Sequence, residues 1–241
     1  MLLTTLLIFI LLLLLIYIIY YPPKPLFDFM QHRHPDVLFQ LPLPANQRIV
    51  ALTIDDSPSA YTSTLLSSLA KYNAKATFFI IGDQVPGYSS LLQRMHDEGH
   101  EVGNHAWSDE KSILRPLSQL EEQIKAVEAL LPLNKNGMKY FRPGGGFFRT
   151  KMVERVKELG YKMVLGCIYP HDPMVWSARV NARHVLSMVR PGGIIILHDR
   201  RGHSAPQLEL ILKGLKERGW EIVSLGGLLE VFERVGKGEE N

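Results

Sequence analysis

Two adjacent carboxylates are the first residues in this sequence whose type and spacing could do chemistry. Asp55 and Asp56 directly follow the apolar run RIVALTI. If both ionise in a shared, partly dry site, they repel each other, so a cation should compensate them, and a metal ion is the simplest candidate. In the alternative interpretation, one aspartate caps the next helix and the other is solvated.

A histidine and a third aspartate form the second candidate pair. His105 and Asp109 are four residues apart in GHEVGNHAWSDE, so on a helical turn their side chains would project from one face. An imidazole and a carboxylate in that arrangement suit a divalent metal ion. The alternative is a satisfied buried histidine and a capping or surface aspartate. We interpret His100, in the same stretch, as structural.

Three further polar residues stand out against apolar surroundings. Arg142 precedes three glycines in FRPGGGFF, and such a backbone can approach a ligand closely and offer amide donors. The apolar run GIIIL ends in His198, where an imidazole is costly unless it has a partner or a task. Asp172, in YPHDPMVW, is the candidate partner.

The elements that would position these residues are short strands alternating with amphipathic helices. From Arg48 onward, seven β-rich runs precede or follow helical stretches such as SQLEEQIKAVEALL; the runs are RIVALTI, KATFFII, EVGNH, KYFRP, KMVLG, GIIILH and EIVSL. The alternation predicts a parallel α/β fold, and seven strands favour barrel-like closure. The candidate residues all follow strands, so they should gather at the carboxyl-end face, where ligands bind in such folds.

The first residues predict a membrane anchor. Leu2 to Tyr21 carry no charge, and such a helix spans about 30 Å, the hydrocarbon thickness of a bilayer. The basic start, short apolar core and cleavage site of a signal peptide are missing. We predict a transmembrane anchor over residues 1–21, a Pro-rich stalk without helical or strand period over residues 22–45, and one catalytic domain over residues 46–241.

Composition excludes several classes of function. The 27 basic and 24 acidic residues are dispersed and give a net charge of only +3, so nucleic acid is not an expected partner. Cys167 is the single cysteine, which excludes an intrachain disulfide and a cysteine zinc cluster. The sequence has no G-x-S-x-G turn, which a serine esterase would need to present its nucleophile. The glycine triplet is not followed by the lysine and serine of a Walker-type phosphate-binding loop.

Read in order, five segments resemble the motifs of the NodB-homology polysaccharide deacetylase family, carbohydrate esterase family 4. The segments are LTIDDSP, GHEVGNHAWSD, FRPGGG, DPMVW and IIILHD. The resemblance implies a distorted (β/α) barrel of about seven parallel strands. It also implies removal of acetyl groups from carbohydrate with the help of a divalent metal, zinc or cobalt.

The resemblance assigns four residues to proton transfer. Asp55 would be the catalytic base, and Arg142 would orient it. His198 would be the general acid, and Asp172 would pair with the imidazole and tune it.

The resemblance also assigns a metal site, with one departure from the family pattern. Asp56 and His105 match the first two ligands, whereas the third position, usually histidine, is Asp109. Aspartate is a legitimate zinc ligand, but its side chain is shorter than that of histidine, and its charge makes the bound metal a poorer Lewis acid. Weaker metal binding or altered metal preference is therefore expected.

The acetyl pocket departs from the pattern as well. Gly144 and Gly145 stand where the family usually carries proline and tyrosine, although Gly145 keeps the backbone amide expected to stabilise the oxyanion. Trp176 and Leu197 resemble the apolar residues that line the pocket. Ile54, where an aromatic residue is common, is a conservative packing change.

The expected protein is a monomeric, single-pass membrane enzyme that hydrolyses acetyl groups of a polymer such as chitin or another N-acetylglucosamine-containing polysaccharide. Lys24 and Arg33 after the span weakly favour a cytosolic domain, but access to polysaccharide favours the extracytoplasmic side. The ligand change at Asp109 motivates one alternative, a catalytically weak, membrane-tethered carbohydrate-binding protein of the same fold. Retention of both base and acid favours the enzyme.

Overall fold

The computed structural model describes residues 2–238, with no side chain described for Leu2; residues 239–241 of the predicted domain lie outside the described residues. The chain divides into two compact units, residues 1–35 and residues 36–241.

The first unit consists of two helices. Helix α1 (Leu2–Tyr20) is uncharged, and by length and composition it could cross a membrane or serve as a signal sequence. Helix α2 (Lys24–Arg33) differs from the prediction of a stalk without helical period. Its prolines indicated a break, but proline is tolerated in the first turn of a helix, where its missing N–H is not needed.

The second unit is a parallel sheet covered by helices. The strands are β1 (Val37–Leu38), β2 (Ile49–Ser57), β3 (Thr77–Ile80), β4 (Glu101–Asn104), β5 (Lys139–Phe141), β6 (Tyr161–Val164), β7 (Ile194–His198) and β8 (Glu221–Val223). The helices are α3 (Thr62–Lys71), α4 (Ser89–Asp97), α5 (Leu117–Glu128), α6 (Thr150–Glu158), α7 (Ala178–Met188), α8 (Ser204–Glu217) and α9 (Leu225–Gly236).

Seven strands follow the order β1-β6-β5-β4-β3-β2-β7, and β8 pairs with β2. All strand pairs are parallel, and the sheet curves into a half-barrel. Beyond β6, Ile168 forms an isolated parallel bridge to Ile195 of β7. The predicted fold class is confirmed. Strand β1 was not predicted, because a two-residue strand shows no period; its pairing with β6 ties part of the predicted stalk to the sheet.

Strand β2 lies next to the β7 end of the sheet, where it pairs with β3, β7 and β8, and it carries the two predicted carboxylates. All nine of its residues are buried, as expected for a strand covered on both faces. The register with β7 sets Asp55 opposite His198. Two residues that are 143 positions apart in sequence thus become neighbours through strand pairing, since 198 − 55 = 143.

Candidate active site

Backbone strain in the described residues concentrates at the carboxyl ends of the strands. Four non-glycine residues there have positive φ: Asp56 (61°), Ala106 (66°), His171 (57°) and Arg200 (67°). Each is a predicted site residue or lies within two positions of one. Residues other than glycine rarely adopt this backbone conformation. It persists where the surrounding structure enforces it, often at functional sites.

The predicted base lies beside its predicted orienting arginine. Arg142 Nη1 donates to Asp55 Oδ1 at 2.5 Å and to Thr53 Oγ1 at 2.8 Å, and both charged side chains are almost fully buried. Arg142 Nε donates to the Val164 carbonyl, and its guanidinium stacks 4.2 Å from the Phe79 ring centre. These contacts fix the Asp55 carboxylate through one of its two oxygens.

The predicted acid is held by its predicted partner. His198 Nδ1 lies 2.8 Å from Asp172 Oδ1, and the His198 backbone N–H donates to Asp172 Oδ2 at 2.9 Å. Burial alone lowers the pKa of His198. The hydrogen bond and charge of Asp172, aided by Asp55 and Asp56, outweigh burial and raise the pKa above its ordinary value. Since Nδ1 is engaged, Nε2 is the nitrogen free to transfer a proton.

Two residues that the sequence analysis did not select support this pair. Gln207 Nε2 donates to Asp172 Oδ2 at 3.1 Å, and the Tyr169 ring meets the His198 ring at 5.7 Å between centres. Burial and the Asp172 charge raise the pKa of Tyr169, so its hydroxyl stays protonated. The position of Tyr169 just before the DPMVW segment is the only sequence signal that could have indicated it.

Asp56 and His105 form two-thirds of the predicted metal site. His105 Nε2 lies 3.7 Å from Asp56 Oδ1, and both side chains are buried. His105 Nδ1 lies 2.7 Å from the Arg142 carbonyl oxygen, which only accepts, so Nδ1 donates to it and Nε2 is the nitrogen that faces the carboxylate. Two ligands of a tetrahedral zinc ion stand about 3.4 Å apart, so this pair fits one edge of such a site.

Asp109 is not brought to this pair. Its side chain is 58% exposed and pairs with Arg200, Oδ2 to Nη1 at 3.0 Å. A four-residue spacing brings two side chains together only on a helical turn. Ala106 is in the left-handed region, which breaks any such turn directly after His105. Within residues 2–238, no three His, Cys, Asp or Glu side chains gather as a possible metal site. The predicted three-ligand set is therefore not assembled.

The segment that carries Asp109 packs onto the glycine turn. A Cβ built on Gly144 would lie 2.1 Å from the Glu110 carbonyl oxygen, and the Gly144 N–H donates to Ser112 Oγ at 2.9 Å. A Cβ built on Gly145 (φ 77°) would lie 3.1 Å from the Lys111 side chain. The absence of side chains at 144 and 145 thus leaves room for the residues that directly follow Asp109.

An arginine lies beside each of the paired aspartates. Arg201 Nη1 lies 3.1 Å from Asp56 Oδ2, while Arg142 compensates Asp55. Sequence analysis missed Arg201, although its place in HDRRG, directly after a strand that ends at the site, was a usable signal.

The predicted pocket residues lie in different environments. Leu197 is 3% exposed within β7, whereas Trp176 is 81% exposed in the loop before α7. Gly145 is exposed at the glycine turn. Leu197 can line a pocket wall, while Trp176 could contact only a ligand that reaches the protein surface.

Comparison with known proteins identifies the family. The family model described as polysaccharide deacetylase matches residues 43–164. A peptidoglycan-N-acetylglucosamine deacetylase of Bacillus cereus is 35% identical over 205 residues, covering 78% of this chain and 91% of that protein. The chain belongs to the polysaccharide deacetylase family, the NodB-homology group or carbohydrate esterase family 4, which acts on acetylated carbohydrates and is generally metal dependent.

Solved structures share the fold. The peptidoglycan deacetylase PdaC of Bacillus subtilis superimposes with a TM-score of 0.73 at 29% identity, over 82% of this chain and 97% of that chain. A carbohydrate esterase family 4 pseudoenzyme of Bacillus anthracis gives a TM-score of 0.71 at 23% identity, over 80% of this chain and 68% of that chain. The second likeness concerns the fold alone.

Proposed function

We propose that this protein hydrolyses the N-acetyl groups of an N-acetylglucosamine-containing polysaccharide. The observation that carries the proposal is the placement of a carboxylate and an imidazole side by side on neighbouring strands, each held by a charged partner. Asp55 is held by Arg142 and His198 by Asp172, and strand register sets Asp55 opposite His198. A carboxylate base and an imidazole acid on one face suit attack of water on an amide followed by loss of an amine.

In this mechanism, Asp55 accepts a proton from the attacking water through Oδ2, since Arg142 occupies Oδ1. His198 then gives the proton on Nε2 to the departing amine, because Asp172 engages Nδ1. The raised pKa of His198 keeps a larger fraction of the imidazole protonated near neutral pH, as a general acid requires. The Gly145 amide is the proposed donor to the oxyanion. Leu197 and the exposed Trp176 are the proposed apolar contacts of the substrate.

Asp56 and His105 are the residues that would hold a divalent ion. The buried pair offers one carboxylate oxygen and one imidazole nitrogen, which suit zinc or cobalt. When bound, such an ion supplies Lewis acidity toward the acetyl carbonyl. With two protein ligands instead of three, we expect weak binding.

The substrate and the cellular site are proposed together. Chitin was the sequence-based expectation, while the named relatives act on peptidoglycan; both polymers contain N-acetylglucosamine. A helix over residues 2–20 that could span a membrane suits an anchored enzyme whose catalytic domain meets an extracytoplasmic polysaccharide. We propose this arrangement, with residues 46–241 as the catalytic domain.

The test is acetate release by the full chain in detergent, assayed on chitin oligosaccharides and on peptidoglycan fragments, with the metal-stripped protein and after addition of zinc or cobalt. We expect release from at least one substrate and its loss in Asp55→Asn. Asp36→Asn, an exposed aspartate of the same unit that pairs with Lys157, is the matched control. No release from either substrate by folded protein with either metal would contradict the proposal.

The second candidate function is carbohydrate binding without efficient catalysis. Two observations favour it: Asp109 lies apart from Asp56 and His105, and Arg201 pairs with the Asp56 carboxylate. The pseudoenzyme with this fold illustrates that the fold alone does not secure activity. Binding of the same oligosaccharides without acetate release would support this candidate.

A further inference from the structure

The loop between β7 and α8 supplies a cation to each acidic member of the predicted ligand set. Arg201 Nη1 lies 3.1 Å from Asp56 Oδ2, and Arg200 Nη1 lies 3.0 Å from Asp109 Oδ2. The first pair is the more buried, with 25% and 6% of its side chains exposed, against 41% and 58% for the second. Solvent therefore screens the Arg201–Asp56 pair less.

The Arg201 guanidinium is fixed by the loop that carries it. Nη1 also donates to the Asp199 backbone carbonyl at 2.8 Å, and Asp199 is fully buried. The Asp199 carboxylate accepts hydrogen bonds from three hydroxyls at the end of β2 and the start of α3, those of Ser57, Ser59 and Thr62. The base of the loop is thus tied to the strand that carries Asp56.

The Asp56 carboxylate is shared between two groups with opposite effects on a metal ion. Oδ1 faces Nε2 of His105, a nitrogen that could bind an ion, while Oδ2 faces a permanent positive charge. A divalent ion between Asp56 and His105 would lie within a few ångströms of the guanidinium. Repulsion at that distance in a partly buried site is strong, so ion and guanidinium compete for one carboxylate.

We propose that Arg201 is a built-in competitor of the divalent ion at Asp56 and sets the metal affinity of the site. The inference rests on the proposed function, because the ion is the one that Asp56 and His105 would hold in a deacetylase. Metal binding would require the guanidinium to leave Oδ2, and removal of its charge should favour the ion.

The test is cobalt binding to the metal-stripped full chain in detergent, followed by calorimetry and by the visible spectrum of the bound ion. We expect Arg201→Gln to bind cobalt about 10- to 100-fold more tightly than the unmodified protein, a range typical of residues that contact metal ligands. Arg200→Gln is the matched control, because it removes the same charge from the neighbouring position without touching Asp56; we expect a change below about 3-fold.

Two further variants complete the design. Asp56→Asn in the Arg201→Gln background should abolish the cobalt signal, which assigns the binding to this site. Arg201→Met, which keeps an unbranched apolar stem without the charge, replaces Arg201→Gln if that variant fails to fold. Equal or weaker cobalt binding in the uncharged variant than in the unmodified protein would overturn the inference, as would equal gains in Arg200→Gln and Arg201→Gln.

The measurement separates this inference from the proposed function. Absence of acetate release with tighter cobalt binding in Arg201→Gln would contradict the enzyme and retain the competitor. Acetate release by the unmodified protein, together with unchanged cobalt affinity in Arg201→Gln, would support the enzyme and contradict the role of Arg201 as competitor.

Discussion

The proton-transfer half and the metal half of the candidate site are built in different ways. Asp55 and His198 stand on paired neighbouring strands, and a buried partner fixes each of them. Asp56 lies near the end of β2 and His105 directly follows β4, but Asp109 lies on an irregular segment beyond β4 and pairs with Arg200. Strand register delivers side chains reliably, whereas a loop delivers them only where its own packing permits.

The largest effect should come from breaking the proton-transfer half. Asp55→Asn removes the proposed base while keeping the size of the side chain, so acetate release should fall by about 10²- to 10⁴-fold. Cobalt affinity should stay the same, since Asp56 and His105 are untouched. A variant that retained full rate would remove Asp55 from the role of base.

Asp172→Asn should change the pH dependence of the reaction and so test the acid in the proton-transfer half. His198 must be protonated to act as the acid, so activity declines as pH rises through its pKa. Burial lowers that pKa, but Asp172 raises it above the ordinary value of about 6.5, and loss of the carboxylate charge should move the basic limb of the kcat–pH profile to lower pH.

The control for this shift is Glu217→Gln, an exposed carboxylate on α8 that contacts neither His198 nor Asp172. Its kcat–pH profile should match that of the unmodified protein. If the basic limb kept its position in Asp172→Asn, another group would be the acid.

The packing of residues 110–112 on the glycine turn can be broken at Gly144. A methyl group there would meet the Glu110 carbonyl oxygen at 2.1 Å, so Gly144→Ala must displace the segment that carries Asp109. We expect the free energy of unfolding to fall by about 1 to 3 kcal/mol, as for overpacking in general. Gly87→Ala, where a Cβ meets nothing within 4 Å, is the control in denaturant titrations. Equal stability of the two variants would mean that the segment moves freely.

Much of the fold could be predicted because the seven longer strands coincide with apolar runs bounded by turns. The residues that follow these strands could be placed on one face for the same reason. Helix α2 and strand β1 were missed, since prolines in a first turn resemble a break and two residues show no period.

The metal half could be predicted only in part. The four-residue spacing of His105 and Asp109 brings side chains together on a helix, but the positive φ of Ala106 directs the chain elsewhere. The place of Arg201 directly after β7 indicates that it lies near the site, but no local pattern encodes its pairing with Asp56, which lies 145 positions earlier in the sequence. Such contacts depend on loop packing, which sequence periodicity does not report.

The smallest expected effect tests the position of Asp109 directly. Its pair with Arg200 is exposed, so Asp109→Ala should change the free energy of unfolding by less than about 1 kcal/mol. Cobalt affinity should stay within about 3-fold of the unmodified protein, whereas Asp56→Ala should abolish binding, because a bound ligand contributes far more than an outlying charge. A large loss of cobalt affinity in Asp109→Ala would mean that the segment moves inward when the metal binds. Binding of the ion would then bring Asp109 to Asp56 and His105, against the packing that holds residues 110–112 on the glycine turn.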